Sequence, residues 1–183
     1  MANGRLLGIS GSLRAESSNL KLIREAARVY APDEFIEGNL RLPLYDGDLE
    51  DAEGIPADVQ ELADQIAAAD AVVISGPEYN KAMSGVLKNA LDWVSRTKGS
   101  PWAGKPVAIL SAAAGRAGGE RTQMTLRHAL LPFRPRLLQG PEVMIAGAND
   151  AFGEDGRLSD ERSIAMLEGL MQALRDEVAL LAR

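Results

Sequence analysis

A chain of 183 residues with 46% hydrophobic content is long enough for one domain with a sizeable core, and residues 1–183 are read as a single unit. Its formal charge of −6, with no block of Lys or Arg, argues against a surface built to neutralise nucleic-acid phosphates or to lie on an anionic membrane. The absence of cysteine removes disulfides, thiolate nucleophiles and zinc-thiolate sites, and the single histidine, His128, makes His-cluster metals and Ser-His-Asp triads improbable, so chemistry here points to a bound cofactor.

Strand 1 is the apolar run RLLGIS, Arg5 to Ser10. "MANGRLLGIS" lacks a signal-peptide core, and no apolar run approaches the roughly 20 residues that span a bilayer, so the expected location is cytoplasmic. The chain then enters GISGSLRAESSN, which holds Ser10, Gly11, Ser12, Arg14, Ser17, Ser18 and Asn19. Hydroxyl donors, one arginine and free N–H groups at a helix start form an anion site suited to a phosphate monoester; Ser17 or Ser18 also suits a helix cap. Leu20, Ile23 and Ala27 give the first helical stripe.

FIEGNL, Phe35 to Leu40, is a weaker strand, and Val59, Leu62 and Ile66 mark the next helix. AVVIS, Ala71 to Ser75, has the composition of a strand covered on both faces. It leads into GPEYN, Gly76 to Asn80, where Pro77 fixes a bend and the N–H groups of Glu78, Tyr79 and Asn80 suit the polar edge of a flavin ring, which carries negative charge when reduced. Tyr79 is equally compatible with packing, and Glu78 with a structural role. Leu87, Leu91 and Val94 form the following helical stripe; Trp93 belongs to this apolar set, as core or as a subunit contact.

GSPWAGK, Gly99 to Lys105, matches a phosphate-loop pattern, yet Pro106 and a strand follow where Ser/Thr and a helix are required, so the match is discounted. Strand 4, VAILSA, runs from Val107 to Ala112 and opens into SAAAGRAGG, Ser111 to Gly119, whose small residues let a backbone approach a flat ring. His128 is expected to pack or cap on the helix that follows. The region around Leu138 and Val143 to Ile145 supplies strand 5. Gly147 to Arg162 is a polar connection, with Ser159 expected to cap the last helix and Asp160 and Glu161 in its first turn. Strand-helix alternation of this kind predicts an α/β, doubly wound parallel sheet of five strands with helices on both faces. Ligands then bind outside the carboxyl ends of the strands.

The strings GSLRAESSN, LPLYDGDLE (Leu42 to Glu50), PEYNKAMSGVLKNALDWVSR and SAAAGRAGGERTQMTLRHAL resemble the NAD(P)H-dependent FMN reductase family, a flavodoxin-like group that includes quinone, chromate and azo-dye reductases. The resemblance covers most of Arg5 to Leu130. It implies an FMN phosphate held by Ser12, Arg14, Ser17 and Asn19, with Ser10 and Ser18 in the same loop. Pro77, Glu78, Tyr79 and Asn80 would meet the ring's polar edge, with Ser111 and Gly115 beside the ring. Three positions depart from the family pattern: Gly76 where Thr is common, Ser84 in place of Pro before Gly85, and Ala113 where a second Ser is frequent. The implied activity is hydride transfer from NADPH or NADH through FMN to a quinone-like acceptor, by a ping-pong mechanism in a homodimer or homotetramer. The alternative is a flavodoxin-like FMN electron carrier without NAD(P)H turnover.

Overall fold

The computed structural model describes residues 4–182. Apolar runs become strands β1 (Arg5–Ser10), β2 (Glu34–Gly38), β3 (Ala71–Gly76) and β4 (Pro106–Ala112), followed by the short β5 (Arg136–Leu137) and β6 (Val143–Ile145). Helices α1 (Ser18–Tyr30), α2 (Gly47–Glu53), α3 (Ala57–Ala68), α4 (Gly85–Val94), α5 (Glu120–Leu130) and α6 (Glu161–Leu181) connect or follow them. Strand order is β2-β1-β3-β4-β5, all parallel. The expected fifth strand is divided: β5 pairs with the start of β4 and β6 with its end. β6 coincides with the expected run Val143 to Ile145, whereas β5 is only two residues long and ends just before Leu138.

Side chains alternate across the central strands, as a pleated sheet requires. Leu6, Val73, Ala108 and Leu110 face the side covered by α1 and α6, where Leu22, Ile23, Leu170, Met171 and Leu174 are buried. Leu7, Ile9, Val72, Ile74, Val107 and Ile109 face the side covered by α3, α4 and α5. Every residue of β3 and β4 is buried, which explains their near-continuous apolar sequence. No described helix is long and apolar enough to cross a membrane.

Two helix expectations change. The last helix is capped by Asp160, which accepts from the Ser163 N–H at 2.8 Å; Ser159 instead bonds the Ala151 carbonyl and closes the preceding loop. Asp160 is the residue whose carboxylate reaches the third helical N–H, a reach Ser159 lacks from one residue earlier. His128 lies exposed in the last turn of α5 and is not packed into the core.

Trp93 is fully buried within its own chain, so it is core and not a subunit contact. Its Nε1–H donates to the Pro43 carbonyl at 2.8 Å, and Asn89, one turn earlier, donates to the same oxygen and accepts from the Tyr45 N–H. Tyr45 meets the Trp93 ring edge-on, with centroids 5.0 Å apart. These contacts hold α2, a helix with no buried residue of its own and therefore no apolar stripe in the sequence.

α2 is further tied by Glu50, which accepts from Arg96 Nε at 2.9 Å and from the Tyr45 hydroxyl at 3.1 Å. The Arg96 guanidinium, aided by the Tyr45 hydroxyl and opposed by partial desolvation, holds the Glu50 carboxyl below the usual glutamate range. A carboxyl lowered on folding stabilises above its unfolded value of about 4.3 and loses that contribution as the pH falls through the folded value. Urea unfolding should therefore show a stability gap between wild type and Glu50→Gln at pH 7 that closes as the pH is lowered past about 4. A gap unchanged over that range would remove the ion pair as its cause.

Candidate active site

Three segments leave the carboxyl edge of β1, β3 and β4 and converge. The first, residues 11–17, begins where β1 ends beside Ser75. Gly11 N–H donates to the Ser75 carbonyl at 2.8 Å, and the Ser84 hydroxyl donates to the Gly11 carbonyl at 2.6 Å. Both polar groups of this peptide are thus used to fix the loop to the end of β3 and the start of α4. Ser84 is buried, and the proline common at this position in the family would have no hydroxyl to donate.

Within the loop, Ser10 Oγ lies 3.3 Å from both the N–H and the carbonyl of Ser12, and Ser12 Oγ accepts from the Arg14 N–H at 3.4 Å. Arg14 is exposed, and among the described residues its guanidinium has no ion-pair partner. Ser17 is the cap of α1, its oxygen accepting from the Asn19 and Leu20 N–H groups, which leaves its own proton free to be donated. Ser18 Oγ donates to the Ala148 carbonyl. Asn19 is only 3% exposed, and its amide bonds Ser75 and Ala112. The loop thus separates into residues that face outward, Ser12 and Arg14 above all, and residues that brace it from within.

The second segment is a tight turn. Tyr79 and Ala82 exchange backbone hydrogen bonds of 3.0 and 3.1 Å, with Asn80 and Lys81 at φ of 51° and 67°. Positive φ at both central positions is the mark of a type I′ turn, which Asn tolerates better than Lys. The Tyr79 N–H is therefore spent inside the turn and is not a ligand donor, contrary to the sequence expectation. Pro77 is buried, Tyr79 is 51% exposed and Asn80 is exposed. The Glu78 carboxylate is not free: it accepts from the Arg121 N–H at 3.1 Å and lies 3.5 Å from the Arg121 guanidinium. Gly119, at the N-cap of α5, has no side chain to cap it, so Glu78 supplies an acceptor from across the site.

The third segment, residues 113–119, packs over Ser111. The Ser111 hydroxyl is fully buried, donating to the Gly118 carbonyl at 2.7 Å and accepting from Gln123 Nε2 at 3.0 Å, so it braces the loop from below and does not line its surface. Gly118 and Gly119 have φ of 60° and 91°, and a Cβ at either would fall within 2.8 Å of Met144 or Ser111 atoms. The turn is therefore available only to glycine. Gly115 is exposed, with open space where a side chain would stand, flanked by alanines and by Arg116 as the only long side chain.

The arrangement offers one cation and hydroxyls at the β1 end, and small residues with an exposed tyrosine at the β3 and β4 ends. It suits a flat ligand carrying a terminal anion. Sequence reasoning passed over Ser84, Gln123 and Arg121, which brace the site from outside the three loops. The one cue was Ser84's departure from the family's proline. Two grooves lie elsewhere, about 740 Å³ between α4 and α5 and about 680 Å³ at the start of α6, and neither gathers donors from these loops.

The family described as NADPH-dependent FMN reductase matches residues 5–150. The chain is 44% identical to an NAD(P)H-dependent FMN reductase of Pseudomonas aeruginosa, with 93% of each chain covered. It is 38% identical to a quinone reductase of Escherichia coli K12, with 92% of each covered. Among solved structures it is similar to the flavoenzyme NAD(P)H:acceptor oxidoreductase FerB of Paracoccus denitrificans, at a TM-score of 0.86 and 32% identity, covering 97% of this chain and 98% of the other.

The Ser84 bond gives a direct test of how this edge is held. Ser84→Ala leaves the Gly11 carbonyl without its hydroxyl donor, and denaturant unfolding should show a loss of about 1–3 kcal/mol at unchanged m-value. A loss below about 0.5 kcal/mol, the range of ordinary surface changes, would mean the bond does not brace the loop.

Proposed function

The chain belongs to the NADPH-dependent FMN reductase family, and from that membership we propose that it is an NAD(P)H-dependent oxidoreductase that uses FMN to reduce quinones or similar acceptors. FMN, when bound, would supply the chemistry of taking up a hydride from NADPH or NADH and passing the reducing equivalents to the acceptor, so no side chain need act as nucleophile. The observation that carries the reading is the exposed Arg14 guanidinium, without an ion-pair partner among the described residues, at the β1 end of a three-loop edge whose other end is mostly backbone and small side chains, with Tyr79 and Arg116 exposed beside them. FMN fits this donor set: a dianionic phosphate requires a cation and hydroxyls, whereas its ring requires a flat, open approach.

In this reading Arg14 and Ser12 bind the phosphate, with the spare proton of Ser17 donated to it and Ser10 holding the loop's turn. Pro77 and the N–H groups of Glu78 and Asn80 border the polar edge of the ring, and Gly115 leaves its flank open. Fixed peptide donors favour negative charge there at no cost of reorganisation. Ser18, Asn19, Glu78 and Ser111 act through their side chains on the protein and not on the ligand.

Titrating the apoprotein with FMN and with riboflavin tests the phosphate assignment. Arg14→Ala should weaken FMN binding by about 1.5–3 kcal/mol, the range for hydrogen bonds to charged groups, and leave riboflavin unaffected. A variant that keeps the wild-type preference for FMN would place the phosphate elsewhere.

Because the three loops suffice for one flavin and the chain carries no second dinucleotide fingerprint, NAD(P)H and acceptor take turns on one open face. Steady-state rates should give parallel double-reciprocal lines, with each substrate in excess inhibiting competitively against the other. Intersecting lines and a ternary complex trapped with a dead-end analogue would overturn this order of events.

A further inference from the structure

We propose that Asn19 is a positioning residue for the ring end of the site and not a ligand of the phosphate. The proposal rests on the FMN reading above. Asn19 occupies the first turn of α1, two residues after the cap, where its sequence position beside Ser17 and Arg14 suggests a phosphate donor. Its side chain is directed into the sheet instead. Oδ1 accepts from the Ser75 hydroxyl at 2.8 Å and from the Ala112 N–H at 3.0 Å, and Nδ2 donates to the Ala112 carbonyl at 3.0 Å. The orientation of the amide is unambiguous, because the Ala112 N–H can only donate and its carbonyl can only accept.

The place of these bonds explains their use. β3 ends at Gly76, which pairs with Ser111, so Ala112 is the first residue of β4 past the end of its neighbour. The Asn19 amide takes both polar groups of that residue, as a further strand residue would. In the same contact it holds Ser75, one residue before the end of β3. Both ring-side segments, 77–80 and 113–119, therefore depart from strand ends that a single buried amide ties together, and that amide is carried by the helix whose N-terminus faces the phosphate. All three bonds of the amide go to Ser75 and Ala112, so its oxygen and one of its N–H groups are spent on the strand ends.

Flavin affinity separates the two roles. Purified apoprotein is titrated with FMN and with riboflavin, and the visible circular dichroism of the bound flavin is recorded as a report on ring placement. Asn19→Ala should weaken both ligands by the same factor, about fivefold or more, and change the dichroism, leaving the FMN-to-riboflavin preference intact. Ser75→Ala removes one bond of the same network from a strand residue and should reproduce the pattern to a smaller degree; it decides the matter if Asn19→Ala does not fold. Arg14→Ala, as comparator, should lose the preference alone. Selective loss of FMN with riboflavin binding and dichroism unchanged would make Asn19 a phosphate ligand and overturn the proposal. Unaltered binding and dichroism in both network variants would overturn it equally. Wild-type protein that binds neither flavin would instead overturn the FMN reading on which the proposal stands.

Discussion

Where a parallel sheet stops, its last peptide groups lose their strand partners, and a buried peptide without a partner costs as much as a lost hydrogen bond. The carboxyl edge of this sheet meets that constraint by exchange between neighbours. Gly11 bonds back to Ser75, Ser84 bonds Gly11, Asn19 takes both polar groups of Ala112, and Ser111 takes the carbonyl of Gly118. Each bond ties a loop or a strand end at this edge to a neighbouring segment. The edge is therefore rigid without being filled, which a site for a flat ligand requires.

The same economy appears in the helices behind the edge. α4 buries Leu87, Ala90, Leu91 and Val94 against the sheet. Its Asn89 and Trp93 hold the backbone of residues 43–45 with hydrogen bonds of 2.8 to 2.9 Å. α5 begins at a glycine with no capping side chain and receives Glu78 from the turn after β3. Together with the Met83 N–H, which donates to Thr125 Oγ1 at 2.9 Å, this anchors the turn to the helix that follows β4, and the two ring-side segments are linked across the site.

For the chemistry the consequence is a division of labour. Outward-facing groups are few: the guanidinium groups of Arg14 and Arg116, a hydroxyl or two, peptide N–H groups and an exposed tyrosine. Side chains that resemble catalytic groups in the sequence, Glu78 and Ser111 foremost, are occupied in holding loops. A protein whose cofactor carries the reaction needs placement and an open face more than it needs acids and bases.

The fold was legible in the sequence because strands buried on both faces must be apolar throughout and amphipathic helices must repeat every three to four residues. β1, β3 and β4 and the helices around them follow from those two rules. The location of the site was legible for the same reason: glycine, serine and proline gather at the strand ends, where the backbone must turn. The pairing of individual polar atoms was not. Ser12, Ser17, Ser18 and Asn19 are chemically alike along the chain, and whether each points outward or inward depends on Ser75, Ala112 and Ala148, residues 56, 93 and 130 positions away from their partners. The two-residue β5 and the helix α2, which has no buried residue, were hidden, since elements stabilised by a neighbour's side chains and not by their own burial leave no periodic signal. Local sequence determined which segments are strand, helix and loop; only tertiary contact decided which of the loop's hydrogen-bonding groups remain free to meet a ligand, because that choice is made by partners the local chain does not contain.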